Sequence, residues 1–142
     1  MRGLRTGRDA GRLSVSQVRT AAILAGGAAG ALTRAALEET FPQHGADWPW
    51  VTFAVNVAGA ALLGWLTTRL AEMVPPTRYW RALLGTGFCG ALTTFSTLQV
   101  EAIRLARDGS VALAAAYVAA SIGAGMLAAV AATVIARRRR YG

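Results

Sequence analysis

Apolar residues in this chain are gathered into four long runs instead of recurring along one face of helices or strands. Residues 21–37 hold a single charge, Arg34, and residues 48–68, 82–100 and 109–136 hold none. Each run reaches or approaches the roughly 20 residues that cross about 30 Å of hydrocarbon as a helix. The pattern predicts an all-α integral membrane protein with four transmembrane helices, at about 20–37, 49–68, 82–104 and 110–136. An Arg-rich arm over residues 1–19, expected to be disordered and cytoplasmic, precedes this membrane domain (20–136), and a basic cytoplasmic tail (137–142) follows it. Gly26 and Gly30, and again Ser121 and Gly125, stand four apart, a spacing at which small residues let helix backbones approach closely in lipid. Trp48 and Trp50 suit an interfacial belt, and Pro75-Pro76 forces a turn ahead of Tyr79, Trp80 and Arg81.

The third run departs from an ordinary span. Gly85-Thr86-Gly87-Phe88-Cys89-Gly90-Ala91-Leu92-Thr93-Thr94-Phe95-Ser96-Thr97 places three glycines and several hydroxyl residues at membrane depth, and glycine weakens a helix. Two readings stand. A break would free backbone groups that survive in a bilayer only where protein, ion or water satisfies them; a continuous helix would use the glycines as packing notches and bond the hydroxyls to the preceding turn. With no carboxylate between Glu72 and Glu101, a break would offer neutral oxygens alone. That donor set suits a monovalent hard cation such as Na+, most readily if two copies of the segment met.

Composition narrows the class further. The chain has 142 residues, 54% of them hydrophobic, and a formal net charge of +8. The single histidine, His44, lies in a short connection and the single cysteine, Cys89, lies within a span, so neither a catalytic triad nor a zinc site is expected. Every basic residue is arginine. Arg2, Arg5, Arg8, Arg12 and Arg19 lie on the arm, and Arg137 to Arg140 form the tail. They flank membrane segments, where anionic lipid and topology explain them without nucleic acid. Twelve arginines on the side shared by the arm, the second connection and the tail face two or three on the other, which predicts cytoplasmic N- and C-termini.

Neutral donors within the spans form a candidate ion path. Asn56 either bonds another helix or offers N–H groups to an anion, and Ser96, Thr94, Thr97, Ser121 and Tyr117 are further neutral donors that can replace a hydration shell. Phe95 is either lipid-facing or presents its positive ring edge to a small anion. Arg34 either snorkels to the interface or lines a vestibule that concentrates anions.

Gly30-Ala31-Leu32-Thr33-Arg34, Val55-Asn56-Val57-Ala58-Gly59 and above all Gly87-Phe88-Cys89-Gly90-Ala91-Leu92-Thr93-Thr94-Phe95-Ser96-Thr97 resemble the Fluc (CrcB-type) fluoride channels of prokaryotes. The resemblance covers about residues 21–136. It implies a passive, fluoride-selective channel in the plasma membrane, exporting fluoride and conferring resistance to it. The third helix would be broken at the midplane, in an antiparallel dimer. A structural Na+ would sit at the dimer interface on the carbonyls of Gly90 and Thr93. Asn56, Phe95, Tyr117 and Ser121 would line the fluoride pathway, with Leu98 standing where the family carries a second phenylalanine, and the donors Thr94 and Ser96 and the vestibule candidate Arg34 complete the expected pathway set. Leu98 and the hydroxyl-free positions Gly125 and Ala129 imply that one of two pathways is weakened. The lopsided arginines favour a heterodimer with a sibling of opposite orientation over a homodimer. A half-pore or non-conducting partner subunit is the alternative. A four-helix multidrug exporter is a remote rival, because its titratable carboxylate is missing: Glu38, Glu39, Glu72 and Glu101 are read at span ends.

Overall fold

A computed structural model describes residues 14–43, 47–71 and 77–138, and the described residues are helical apart from short connections. His44, Pro75-Pro76 and most of the basic arm and tail lie outside the described residues. Helix α1 (Val15–Thr40) opens on a capping box. Ser14 Oγ accepts the Gln17 N–H (3.3 Å) while Gln17 Oε1 accepts the Ser14 N–H (2.7 Å), so two donors of the first turn are satisfied reciprocally. The helix thus starts within the stretch assigned to a disordered arm: residues 15–19 continue the first span outward as regular helix. Helix α2 (Trp50–Ala71) follows.

The third segment is not one continuous helix over 82–104. It consists of a short turn, α3 (Thr77–Trp80), a π-helical stretch (Arg81–Cys89), α4 (Gly90–Leu92), and then α5 (Phe95–Arg107). Between α4 and α5 the backbone is extended, at φ −75°, ψ 146° for Thr93 and φ −143°, ψ 121° for Thr94. Helix α5 closes with Gly109 at φ 85°. There the Ser110 N–H reaches Leu105 O (2.9 Å) and the Gly109 N–H reaches Ala106 O (3.2 Å), a glycine-dependent stop that satisfies the last carbonyls. Helix α6 (Val111–Arg138) completes the chain.

Three of these helices, α1, α2 and α6, are long and apolar enough to cross a membrane. Their outer faces stay apolar and uncovered, as Leu24, Met126, Leu127 and Val130 illustrate. A chain that turns this many large aliphatics outward is solvated by lipid.

Close backbone approach holds the segments together. Carbon atoms added at Gly26 and Gly30 of α1 would overlap the carbonyls of Leu83 and Phe88, and one added at Gly87 would meet Ile23 O. On the other side, Gly64 of α2 lies against the Ala129 backbone of α6 and Gly125 faces Ala60. Gly125 and Ala129, the positions without hydroxyls, therefore serve the α2–α6 seam. Contacts ascend together along both pairs, so α1 runs parallel to the first half of the third segment and α2 runs parallel to α6. Gly26→Ala is expected to destabilise the fold by about 1–3 kcal/mol, because the added methyl strikes backbone that cannot rotate away. Gly123→Ala, with open space around the added carbon, is expected to be neutral. Thermal unfolding in detergent micelles checks both; equal melting temperatures for Gly26→Ala and the parent would contradict the seam.

Candidate functional site

The interruption at Thr93-Thr94 is a rearranged set of hydrogen bonds that can be accounted for bond by bond. In an uninterrupted helix the Thr94 N–H would bond Gly90 O, the Phe95 N–H would bond Ala91 O and the Thr97 N–H would bond Thr93 O. Instead, the Thr94 N–H donates to Asn56 Oδ1 (2.8 Å), and Asn56 Nδ2 donates to Thr94 O (3.1 Å). The amide of one α2 side chain thus pairs with both backbone groups of Thr94. Thr94 then acts as the N-cap of α5, its Oγ1 accepting the Thr97 N–H (3.1 Å). Thr93 bonds backward, its N–H and its Oγ1 both donating to Cys89 O (3.0 and 2.9 Å), while Gly59 leaves the space that the Thr93 methyl fills.

Two carbonyls are released by these exchanges. Gly90 O and Thr93 O receive no hydrogen bond among the described residues, since Asn56 and Thr94 Oγ1 have taken their helical donors. Gly90 is exposed, with nothing within 4 Å of the place where a side chain would start. Both residues line a groove of about 1290 Å³. Bare, neutral carbonyl oxygens of this kind have the chemistry a monovalent hard cation needs, and two per chain leave a coordination shell incomplete without a second copy.

The groove also collects most of the residues expected along an anion path. Asn56, Thr94, Phe95, Leu98 and Ser121 line it, with Leu63, Leu66 and Ile122 as apolar wall and with Arg19 and Arg81 at one end. Phe95 is 68% exposed and stands free of any aromatic partner among the described residues. Ser121 is buried, and its Oγ has no hydrogen-bond partner among the described residues. A hydroxyl held this way costs free energy unless something else occupies its donor.

Four expected path residues stand apart from the groove lining, the first being Thr97, whose Oγ1 accepts from Thr94 Oγ1 (3.0 Å). Ser96 is exposed on the first turn of α5, its Oγ 3.2 Å from Thr94 Oγ1. Arg34 neither reaches the groove nor stretches free to the interface; its guanidinium lies between Ala91 O (3.4 Å) and Glu38 (3.1 Å). Tyr117 is fully buried, and its hydroxyl donates to Glu101 Oε2 (2.7 Å).

That last contact corrects the placement of Glu101 at a span end. Because α5 is a separate helix starting at Phe95, Glu101 falls near its middle, on the buried stripe Leu98, Glu101 and Leu105. Its other oxygen accepts the Thr52 hydroxyl (2.7 Å). One carboxylate thereby joins α2, α5 and α6, beside the cluster of Leu98, Leu105, Ala114 and Tyr117 on which Trp48 and Phe53 pack. The i, i+3, i+7 spacing of that stripe is the sequence signal that could have revealed it.

Fold and groove together define a class: a small polytopic helical membrane protein whose third segment is interrupted beside a largely apolar groove that carries a few polar groups. Residues 21–133 match the family described as "CrcB-like protein, Camphor Resistance (CrcB)", and the chain belongs to that family. It is 57% identical over 120 residues to the "Fluoride-specific ion channel FluC 1" of Mycobacterium tuberculosis, covering 84% of this chain and 91% of that one. The protein of the same name in Mycolicibacterium paratuberculosis is 53% identical over 120 residues, with the same shares covered. The "Fluoride-specific ion channel FluC 3" of Streptomyces avermitilis is 46% identical over 108 residues, 76% of this chain and 53% of that one.

Proposed function

We infer that this chain is a subunit of a fluoride-selective passive channel of a bacterial membrane, exporting cytoplasmic fluoride and so reducing its toxicity. The observation that carries this reading is the Asn56–Thr94 pairing beside a groove in which neutral donors and an aromatic ring converge. Asn56, Thr94, Phe95 and Ser121 form the contact set for the ion, and Leu98 supplies bulk without an aromatic edge. Asn56 keeps one Nδ2 hydrogen free of Thr94, and Ser121 keeps its hydroxyl, so both can donate to an anion without trapping it as a buried arginine would. Arg19 and Arg81 raise anion concentration at the groove's end. Ser96, on the exposed first turn of α5, extends the donor set. Tyr117 contributes through its hold on Glu101.

The parallel pairing of α1 with the third segment, and of α2 with α6, supports four alternating crossings. The groove left open beside the break supports an antiparallel dimer, with Na+ held between subunits on Gly90 and Thr93 carbonyls. Na+ supplies positive charge at an interface where carbonyl dipoles would otherwise repel one another. Arg19, Arg69, Arg81, Arg137 and Arg138 gather at one end of the helices, which supports cytoplasmic termini in the plasma membrane and one fixed orientation. A chain so oriented needs a sibling of opposite orientation. Family membership removes the multidrug exporter, even though Glu101 supplies the buried carboxylate such a pump would use.

Expressed alone and reconstituted in liposomes, the chain is expected to release no trapped fluoride at a fluoride electrode. A stable homodimer that conducts fluoride would overturn the sibling requirement while leaving the channel reading in place. Co-expression with a sibling that restores no flux beyond the sibling's own would favour the non-conducting partner role.

A further inference from the structure

The break deprives the carbonyls of Gly90, Ala91, Leu92 and Thr93 of their helical donors, and they meet different fates. Gly90 and Thr93 line the groove, whereas Ala91 O is met from α1 by the Arg34 guanidinium. The Gly30 notch brings α1 against Phe88 O and Leu92 N. One turn beyond that notch, Arg34 is delivered to the end of α4. Its Nε donates to Ala91 O at 3.4 Å and its Nη1 donates to Glu38 Oε1 at 3.1 Å, with the side chain only 27% exposed. This is the single ion pair among the described residues. A cation at the carbonyl end of a helix is favourably placed against the local dipole, and a guanidinium can serve a carbonyl and a carboxylate at once through separate N–H groups.

We propose that Arg34 is a positioning residue of the interrupted segment: it caps the orphaned Ala91 carbonyl, Glu38 holds the guanidinium in place, and the end of α4 is thereby fixed so that the Gly90 and Thr93 carbonyls face the groove. Arg34 acts by hydrogen bonding at the break, away from the anion path, and not by concentrating anions. The consequence for fluoride flux rests on the channel reading above; the consequence for the backbone does not.

The test uses the full chain in its native complex and separates hydrogen bonding from charge. In Arg34→Gln the side-chain amide nitrogen stands the same number of bonds from the backbone as Arg Nε, so it can donate to Ala91 O without a charge. Arg34→Met can do neither. Hydrogen exchange over residues 89–97 is expected to quicken by on the order of tenfold in Arg34→Met and to stay within about threefold of the parent in Arg34→Gln, since a lost charged hydrogen bond at a part-buried helix end is worth that order. Fluoride efflux is expected to follow the same ranking at both ~10 mM and ~300 mM ionic strength, because a part-buried bond is screened less than exposed charges are. Equal exchange in the Gln and Met variants overturns the proposal. So does a flux loss shared by both variants at low ionic strength and erased at high, which is the signature of charge steering. Should Arg34→Met fail to assemble, Arg34→Lys replaces it. A point-like ammonium cannot span Glu38 and Ala91 as the fork does, so faster exchange is expected, and exchange equal to the parent overturns the proposal. A parent complex that passes no fluoride would defeat the channel reading, and the exchange measurement would still decide this one.

Discussion

Asn56→Ala is expected to reduce fluoride efflux by on the order of tenfold or more while leaving the complex assembled, because two hydrogen bonds at a part-buried backbone site are lost together. In the parent the Asn56 amide outcompetes the helix for Thr94, taking its N–H at 2.8 Å and its carbonyl at 3.1 Å. Without that amide the Thr94 N–H has one nearby acceptor that restores regular structure, Gly90 O. Re-forming that bond draws the chain back toward helix, removes a bare carbonyl from the groove and turns the Phe95 ring from its position. Asn56→Asp separates the two halves of the pairing, since a carboxylate accepts the Thr94 N–H but cannot donate to Thr94 O. It is expected to fall below the parent as well. Initial efflux rates at equal reconstituted protein, with size-exclusion profiles as the control for assembly, check both variants. Efflux by Asn56→Ala within twofold of the parent would contradict the role assigned to the pairing.

Glu101→Leu is expected to destabilise the protein by about 3–5 kcal/mol, because removing one partner of a buried polar set leaves the others uncompensated. The Thr52 and Tyr117 hydroxyls each spend their proton on Glu101, and Tyr117 has no exposure through which water could replace the carboxylate. Tyr117→Phe removes only one donor and is expected to cost about 1–3 kcal/mol. Thermal or denaturant unfolding in micelles measures both, and a Glu101→Leu variant as stable as the parent would show that the three helices are held otherwise.

What could be read from the residues and what could not follows from the range of the interactions concerned. The apolar runs announce membrane helices because lipid leaves few alternatives for the backbone. The glycines of α1 mark a seam for the same reason. The capping box of Ser14 and Gln17 starts α1 at Val15, five residues before the span that the apolar run marks at 20–37. Hydropathy reports burial in lipid, and a helix that extends past the hydrocarbon carries no such signal. The break is different in kind. Thr93-Thr94 is no stronger a helix breaker than many Thr pairs in spans, and what stabilises its extended backbone is Asn56, 38 positions earlier in the chain. Local propensity left the two readings level, and only the family motif separated them. Glu101 is hidden for a related reason: counted along one continuous span it falls at the end, whereas a helix restarting at Phe95 brings it to the middle of α5. Arg34 had two readings, interface or vestibule, and the contact with Ala91 O matches neither, because no carbonyl is free to be capped until the break exists.

The most direct test of the account is ion release from liposomes carrying the native complex, purified through a tag on this chain from its own host so that any sibling subunit accompanies it. Fluoride and chloride electrodes read the external solution after both ions are trapped inside. A fluoride-selective channel releases fluoride rapidly with chloride retained, and loses that release in the complex carrying Asn56→Ala. Retention of both ions by the assembled parent complex, or release of both together, would contradict it.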